Sequence, residues 1–383
     1  GALSLIQLAG RADVPLPMRE QTLRLLQAWE KPSGRDWVVG LWRPIPARSG
    51  ADVANVLRPA LPTLMTGPDK IRTEAVKLAA MHGVKEIAPT LREMVRDSRR
   101  HAPLRIDSLL ALETLKDAQL EATARAILDD GDPRVRHHAR RIVLQKTPPA
   151  EAVKILTKVL DDGALVERQG AFALLTKVPG PEADVLLSRW LDELAANKAP
   201  AELQLDILLA ASARKSLADS PKLAAYEKTR DLKNPMSIYR EAQFGGDAEN
   251  GRRVFFEKAE VSCLRCHKIQ GVGGDVGPEL NGIGSKYKRD YLLEAIVDPD
   301  KQIAKGYETT VLTLKNGLLR TGIVKSEDAN EIRLMTPEGQ VLAIPKSQID
   351  ERARGPSAMP ADLTQKMSRL EVRDLVEFLA GLK

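Results

Sequence analysis

Two cysteines and a histidine stand together in one segment, Cys263-Leu264-Arg265-Cys266-His267, and the chain has no other cysteine. Two thiols three residues apart share one side of a helical turn, so both reach the same edge of a flat ligand. They can form thioether bonds to the two vinyl groups of a porphyrin, and the histidine that follows places its imidazole at the metal. The spacing therefore predicts covalent attachment of one c-type haem.

Three other interpretations of this segment are open. A Cys-x-x-Cys redox pair expects a thioredoxin-like βαβ context, which the flanking sequence lacks. A zinc ion takes four ligands, and no second pair of ligands follows nearby. A chance match to the motif is the third interpretation. We favour haem because residues further along the chain agree with it.

Two later features agree with a haem site. Pro278 and Leu280 lie in a Gly-Pro-Glu-Leu stretch shortly after the histidine. In class I cytochromes c such a turn packs over the histidine, and the proline carbonyl accepts the hydrogen bond of its Nδ1–H. Met359 stands in a Met-Pro pair before a C-terminal amphipathic helix. We expect its thioether to be the sixth ligand, which stabilises ferrous iron. Met335 and Met367 are rivals that we assign to packing.

The sequence around these residues predicts a domain over 241–383. Helices are expected after Asp247, over 289–297 and over 368–382. Residues from about 308 to 350 instead alternate with period two and carry Asn-Gly and Glu-Gly turn signals, which predicts a small antiparallel β insertion. The insertion either covers one haem edge or docks a partner. In both cases its deletion is expected to slow electron exchange while the haem is retained.

The preceding residues, 1–240, predict an all-helical domain. Between 67 and 230, helix pairs recur at steps of about 31–33 residues, and each pair breaks at Gly, Asp or Pro. One pair cannot bury its apolar face alone, so this period is typical of a HEAT-like α-solenoid. A Trp/Pro-rich loop over 34–49 is expected to cap it. The predicted fold class is therefore mainly α: a solenoid followed by a class I cytochrome c domain with a β insertion.

The composition limits the classes of partner. The net charge is +6, and no apolar run approaches the ~20 residues that span a bilayer. Residues 241–383 hold 21 Lys and Arg against 22 Asp and Glu, so the excess charge lies in residues 1–240. An excess this small over a long helical region favours a solvated surface over nucleic acid or an anionic membrane. The first residues have no signal-peptide pattern, and we expect residue 1 to lie inside a longer polypeptide.

A more specific resemblance is carried by the glycine-rich segment 273–284, by 289–299, and by Gly306-Tyr307 followed by a β insertion and Ser-Ala-Met-Pro. Over about 245–383 the chain resembles the haem-binding domain of Planctomycetes–Verrucomicrobia-type cytochromes c. The resemblance implies thioether anchors at Cys263 and Cys266, a proximal His267 and a distal Met359. It also implies a haem crevice lined by Pro278, Leu280, Tyr291, Ile296 and Tyr307, with Lys286 or Arg289 near a propionate.

The same resemblance implies a cellular setting. Proteins of this family often carry the domain after HEAT-like repeats, and many have an N-terminal β-propeller resembling quinoprotein sugar dehydrogenases. This chain has no propeller, so dehydrogenase activity is not expected of it. A redox protein or a dehydrogenase domain is the implied electron donor, and export to the bacterial periplasm is implied because haem c is attached outside the cytoplasm. Two protein ligands would close the iron, which favours electron transfer. The alternatives are a peroxidase-like enzyme or gas sensor with an open sixth position, and a scaffold with a structural haem.

Overall fold

The computed structural model describes residues 1–32, 34 and 43–383. The described chain is mainly α-helical with a small antiparallel sheet, as the sequence predicts. It divides into two compact units, Gly1–Leu174 and Leu175–Lys383. Most of the loop predicted at 34–49 falls outside the described residues, and its described end, 43–49, has no regular secondary structure.

The regular elements of the first unit are helices, in agreement with the prediction that this part of the chain is mainly α. Proline at the first helical turn opens several of them, where its missing N–H costs nothing. The Asp132 carboxylate caps one helix by accepting a hydrogen bond from Arg134 N at 2.8 Å. The helices are α1 Ala2–Gly10, α2 Leu16–Gln27, α3 Gly50–Thr66, α4 Asp69–Met81, α5 Ala88–Arg96, α6 Ala102–Thr114, α7 Leu120–Arg125, α8 Pro133–Leu144, α9 Pro149–Asp162 and, across the end of the unit, α10 Leu165–Leu175.

The second unit begins with further helices and ends with the region that holds the cysteines. Its α-helices are α11 Pro181–Ala195, α12 Gln204–Ala213, α13 Lys215–Ala218, α14 Pro221–Lys228, α15 Pro235–Ile238, α16 Ala248–Glu257, α17 Ile283–Lys286, α18 Arg289–Val297 and α19 Arg369–Gly381. One short 3₁₀ turn lies in the first unit, at Lys85–Ile87. Others lie in the second unit, at Ala201–Leu203, Arg240–Ala242, Cys263–Arg265, Lys346–Gln348 and Leu363–Lys366.

Helices α16 and α19 cross in close contact and form the frame of the cysteine-bearing region. A Cβ on Gly251 would overlap the carbonyl of Asp374, so glycine is what allows the two backbones to approach. The Asp374 carboxylate also accepts a hydrogen bond from Asp247 N at 2.8 Å, at the start of α16. Ser368 and Glu371 form a capping box that fixes where α19 begins. This crossing holds the two ends of the region together.

The β insertion is a five-stranded antiparallel sheet in the order β6-β5-β4-β3-β7. A separate two-stranded hairpin, β1 and β2, precedes it. The strands are β1 Lys268–Ile269, β2 Val272–Gly273, β3 Thr309–Leu314, β4 Leu319–Glu327, β5 Glu331–Met335, β6 Val341–Pro345 and β7 Ile349–Arg354. Four strands of the sheet lie within the predicted insertion of about 308–350, and β7 extends it past residue 350. The sequence of β7, Ile-Asp-Glu-Arg-Ala-Arg, lacks the apolar alternation that predicts a strand, and its pairing with β3 decides its structure.

Candidate haem-binding site

The cysteines lie on a tight turn. Residues Cys263–Arg265 form a 3₁₀ turn, and Ser262 before it adopts a left-handed conformation with φ of 50°. The backbone N–H groups of Cys266 and His267 both donate to the Cys263 carbonyl, at 3.1 and 2.9 Å. Both thiols are free and half-buried. The turn therefore places both cysteines and the histidine of the motif close together.

The imidazole of His267 is fixed by the segment that follows it. Its Nδ1 lies 2.9 Å from the carbonyl oxygen of Pro278. A carbonyl only accepts, so Nδ1 donates and Nε2 keeps a free lone pair in the neutral ring. Burial lowers the pKa of His267, which favours that neutral form. Within the part of the chain that the structure describes, no group donates a hydrogen bond to Nε2. The ring is thus prepared to bind a metal through Nε2.

Gly277 makes this arrangement possible. A Cβ at this position would lie 2.7 Å from Cε1 and 2.8 Å from Nδ1 of His267. Its N–H donates to the Cys266 carbonyl at 2.7 Å, and the Leu280 N–H donates to the Lys268 carbonyl at 2.9 Å. These bonds tie the glycine-rich segment to the cysteine turn. Glycine is required here for space, since its φ is not positive.

The other residues that the sequence assigns to the crevice divide between two apolar clusters. Leu280 and Ile296 belong to the buried core of the helical part, and Cys263, Tyr291 and Met359 pack against that core. Cys266 and Tyr307 instead pack against a smaller cluster, which contains residues of the sheet. The two cysteines therefore contact different apolar walls, one from the helices and one on the sheet side.

Three further side chains near these clusters were not assigned by the sequence. Tyr287 stacks on Tyr291 with ring centroids 4.0 Å apart and an interplanar angle of 12°. Met236 and Tyr239 pack against the same helical core as Met359. Their sequence context carries no signal for this placement, because it arises from packing between distant segments. Arg289, one expected propionate partner, contacts Glu377 at 2.6 and 2.7 Å.

The rival methionines are both buried. Met367 lies inside the helical core, and Met335 lies in the small cluster beside Cys266. Both are 7 % exposed. Met359 is less buried and stands in a loop, where its N–H donates to the Ser357 hydroxyl at 3.2 Å. The loop is anchored in turn by the Ser357 N–H, which donates to the Asp300 carboxylate at 2.5 Å.

The chemistry of the thiols separates the possible uses of the motif. Burial raises the pKa of Cys263 to about 11 and also raises that of Cys266. A redox-active cysteine pair has a lowered pKa, so this environment does not favour that use. Among the described residues, no group of three or more His, Cys, Asp and Glu side chains is placed to hold a metal ion. Two free thiols, one neutral imidazole and apolar walls are the set that a c-type haem requires, so the residues fit this cofactor.

Comparison with known families agrees with this site. Residues 248–333 match the family model for cytochrome c. The match supports a cytochrome c haem-binding domain with covalent haem c, and a haem-based electron-transfer role for it. No curated protein is significantly similar to the chain. None of the helices formed by the described residues has the length and apolar character needed to cross a membrane.

Proposed function

We propose that this chain transfers single electrons through one covalently bound haem c with His267 and Met359 as its axial ligands. The observation that carries the proposal is the contact between His267 Nδ1 and the Pro278 carbonyl, which leaves Nε2 free beside two unpaired thiols. A histidine that is only packed in a core needs no such arrangement.

The chain's own residues have separate tasks in this proposal. Cys263 and Cys266 anchor the group covalently, and His267 binds the iron through Nε2. Met359 closes the opposite side, which excludes substrates from the metal. Haem c supplies a one-electron couple between ferric and ferrous iron. With His267 and Met359 both bound to it, the iron would have no open position, so no bond chemistry is expected of this chain and electrons would pass at the haem edge.

Pro278 and Gly277 orient the proximal ligand. The Pro278 carbonyl accepts the Nδ1–H bond, which increases the electron density on Nε2 and stabilises its bond to ferric iron. Gly277 leaves the ring the space that this orientation needs. The apolar cluster around Leu280, Ile296 and Tyr291 limits the access of water, which favours the less charged ferrous state.

The helical residues 1–240 serve, in this proposal, as a HEAT-like docking or spacer module for the domain over 241–383. The donor is a redox partner or a dehydrogenase domain, with a quinoprotein as the class that the family resemblance favours. Placement in the periplasm or elsewhere outside the bacterial cytoplasm follows from the attachment of haem c. Support comes from the resemblance to Planctomycetes–Verrucomicrobia-type cytochromes c over about 245–383.

The axial ligands are tested by visible and near-infrared spectroscopy of the holoprotein. We expect a low-spin spectrum with the weak far-red band that marks methionine bound to ferric iron. Met359→Ala should abolish that band and lower the midpoint potential, because a thioether stabilises ferrous iron. Met367→Leu is the matched control, since it keeps a buried apolar side chain and should leave the band in place. A high-spin spectrum of the unmodified protein would instead indicate an open sixth position and contradict the proposal.

A further inference from the structure

The β insertion is a self-contained unit whose two ends meet. One buried cluster, Leu312, Leu314, Ile332, Leu334 and Ile344, consists entirely of residues from its strands. The Gly355 N–H donates to the Thr309 carbonyl at 2.8 Å, so the chain leaves the sheet beside the point where it enters. The sheet therefore has a buried cluster of its own, which is separate from its contact with the haem-binding segment.

The opposite face of the sheet carries a second apolar feature. Ile323 and Met335 are directly paired across β4 and β5, and they are 1 % and 7 % exposed. They form a buried cluster with Val276, which immediately precedes Gly277. Cys266 packs against this cluster. A face that buries its side chains against a cysteine of the haem motif is not available to a partner protein.

The turn between β5 and β6 lies over the same segment. A Cβ on Gly339 would be 3.8 Å from the Val276 side chain, which is ordinary van der Waals distance. Arg265, within the cysteine motif, contributes to lowering the pKa of Glu338 in this turn, after the hydrogen bonds to Thr336 and to its own backbone. The sheet thus contacts the motif through its apolar face and adjoins it through a turn.

An apolar cavity of about 260 Å³ lies where the sheet meets the loop of Met359. Val276 lines it from the histidine side, Ile323 and Met335 line it from the sheet, and Ala358 and Pro360 line it from either side of Met359. The cavity therefore touches the proximal segment, the sheet and the loop of the proposed distal ligand.

From these contacts we propose that the sheet is a wall of the haem cleft on the Cys266 side, with Ile323 and Met335 as its haem-contacting residues. The proposal rests on the function proposed above, and it specifies which residues set the midpoint potential of the haem. These side chains exclude water from the Cys266 edge. Ferric haem carries one more positive charge than ferrous haem, so a dry wall destabilises the ferric state and raises the midpoint potential.

The test uses the full-length holoprotein and two ways of opening the wall. In one variant, residues 309–354 are replaced by a short glycine linker; in the other, Met335→Glu places a carboxylate in the wall. Both should shift the midpoint potential downwards. The far-red methionine band should be retained. Leu319→Lys is the matched control, because Leu319 lies on the same strand as Ile323 but is 62 % exposed, and it should leave the potential unchanged.

Three outcomes would overturn the proposal. If both wall variants keep the wild-type potential and only exchange with a protein partner slows, the sheet is a docking surface. If Met335→Leu, which preserves the wall, abolishes the methionine band, then Met335 is an iron ligand and the role of Met359 fails as well. If the wild type carries no covalent haem, the proposed function itself fails. The first outcome leaves haem and ligands intact, so the failure of this inference is distinguishable from the failure of the function on which it rests.

Discussion

Two regions of the second unit hold polar groups away from bulk solvent, and they differ in whether the protein itself supplies the partners of those groups. Around Glu241, whose side chain is fully buried, four donors surround one carboxylate. They are the Tyr226 hydroxyl at 2.7 Å, Arg230 at 3.0 Å, and Arg240 and Arg369 at 2.8 Å each. We call this set the Glu241 network. Its charged groups are paired within the protein, and both oxygens of the Glu241 carboxylate accept hydrogen bonds, while Nε of Arg369 is buried without a partner.

The haem cleft is the contrasting region. Its thiols are free, and His267 directs one nitrogen to Pro278 while the other has no hydrogen-bond partner among the described residues. Free thiols and an imidazole nitrogen with a free lone pair are the groups that covalent haem attachment uses. The Glu241 network connects α14 with α19 inside the unit, and each oxygen of its carboxylate accepts two hydrogen bonds. The polar groups of the Glu241 network therefore support the fold, whereas those of the haem cleft are placed to bind a ligand.

The largest effect is expected when the covalent attachment of haem in the cleft is removed and the Glu241 network is left intact. In the double variant Cys263→Ala and Cys266→Ala, haem should be completely extractable by acidified organic solvent, because no thioether bond holds it. Glu241→Ala should keep its haem under the same extraction. Pyridine haemochrome spectra of the pellet measure the difference. Covalent haem in the double variant would contradict the assignment of the motif.

The next largest effect is expected in the Glu241 network. Glu241→Ala leaves the buried Arg230 and the partly buried Arg369 without their shared partner, which should cost about 3–5 kcal/mol of unfolding free energy. Urea unfolding measures this loss. Glu260→Ala, at an exposed carboxylate, is the control and should change little. A loss no larger than that of the control would show that the network contributes nothing to stability.

A smaller effect on stability is expected at Gly277, which lies against the ring of His267 in the cleft. Gly277→Ala places a methyl group against the His267 ring and should cost about 1–3 kcal/mol, which is typical of overpacking. The ring must move away from the Pro278 carbonyl, so the hyperfine-shifted NMR signals of the proximal histidine should change. The same substitution at Gly381, where a Cβ would meet nothing within 4 Å, is the control. Unchanged histidine signals would mean that Gly277 does not position the ring.

The smallest effect is the pH dependence of the stability that the Glu241 network contributes. Burial would raise the pKa of Glu241, but hydrogen bonds from Arg230, Tyr226 and Arg240 outweigh it and hold that pKa below its ordinary value. A lowered carboxyl pKa contributes stability above the unfolded value of about 4.3, and this contribution is lost as the pH falls through the folded value. The stability difference between wild type and Glu241→Gln should therefore be constant near neutrality and shrink below about pH 4. Urea unfolding at several pH values measures it, and a constant difference down to pH 3 would contradict the assignment.

The sequence by itself determined the proximal half of the site. Cys263, Cys266, His267 and Pro278 are close along the chain, so their spacing already limits their geometry, and the structure places the Pro278 carbonyl where that spacing predicts. The helix over 289–297 and an antiparallel β insertion after about residue 308 were also predicted, since periodicity records which face of an element is buried. The roles assigned to the haem ligands remain proposals.

Only the tertiary structure decided the rest. Strand β7 has a polar sequence and exists because β3 offers it a partner. Ile323 and Met335 are ordinary strand residues until folding brings them to Val276 and Cys266. The Glu241 network joins side chains from separate segments in the same way. The physical reason is common to all three cases: local sequence specifies which side of an element is apolar, whereas the packing of distant segments decides what that side contacts.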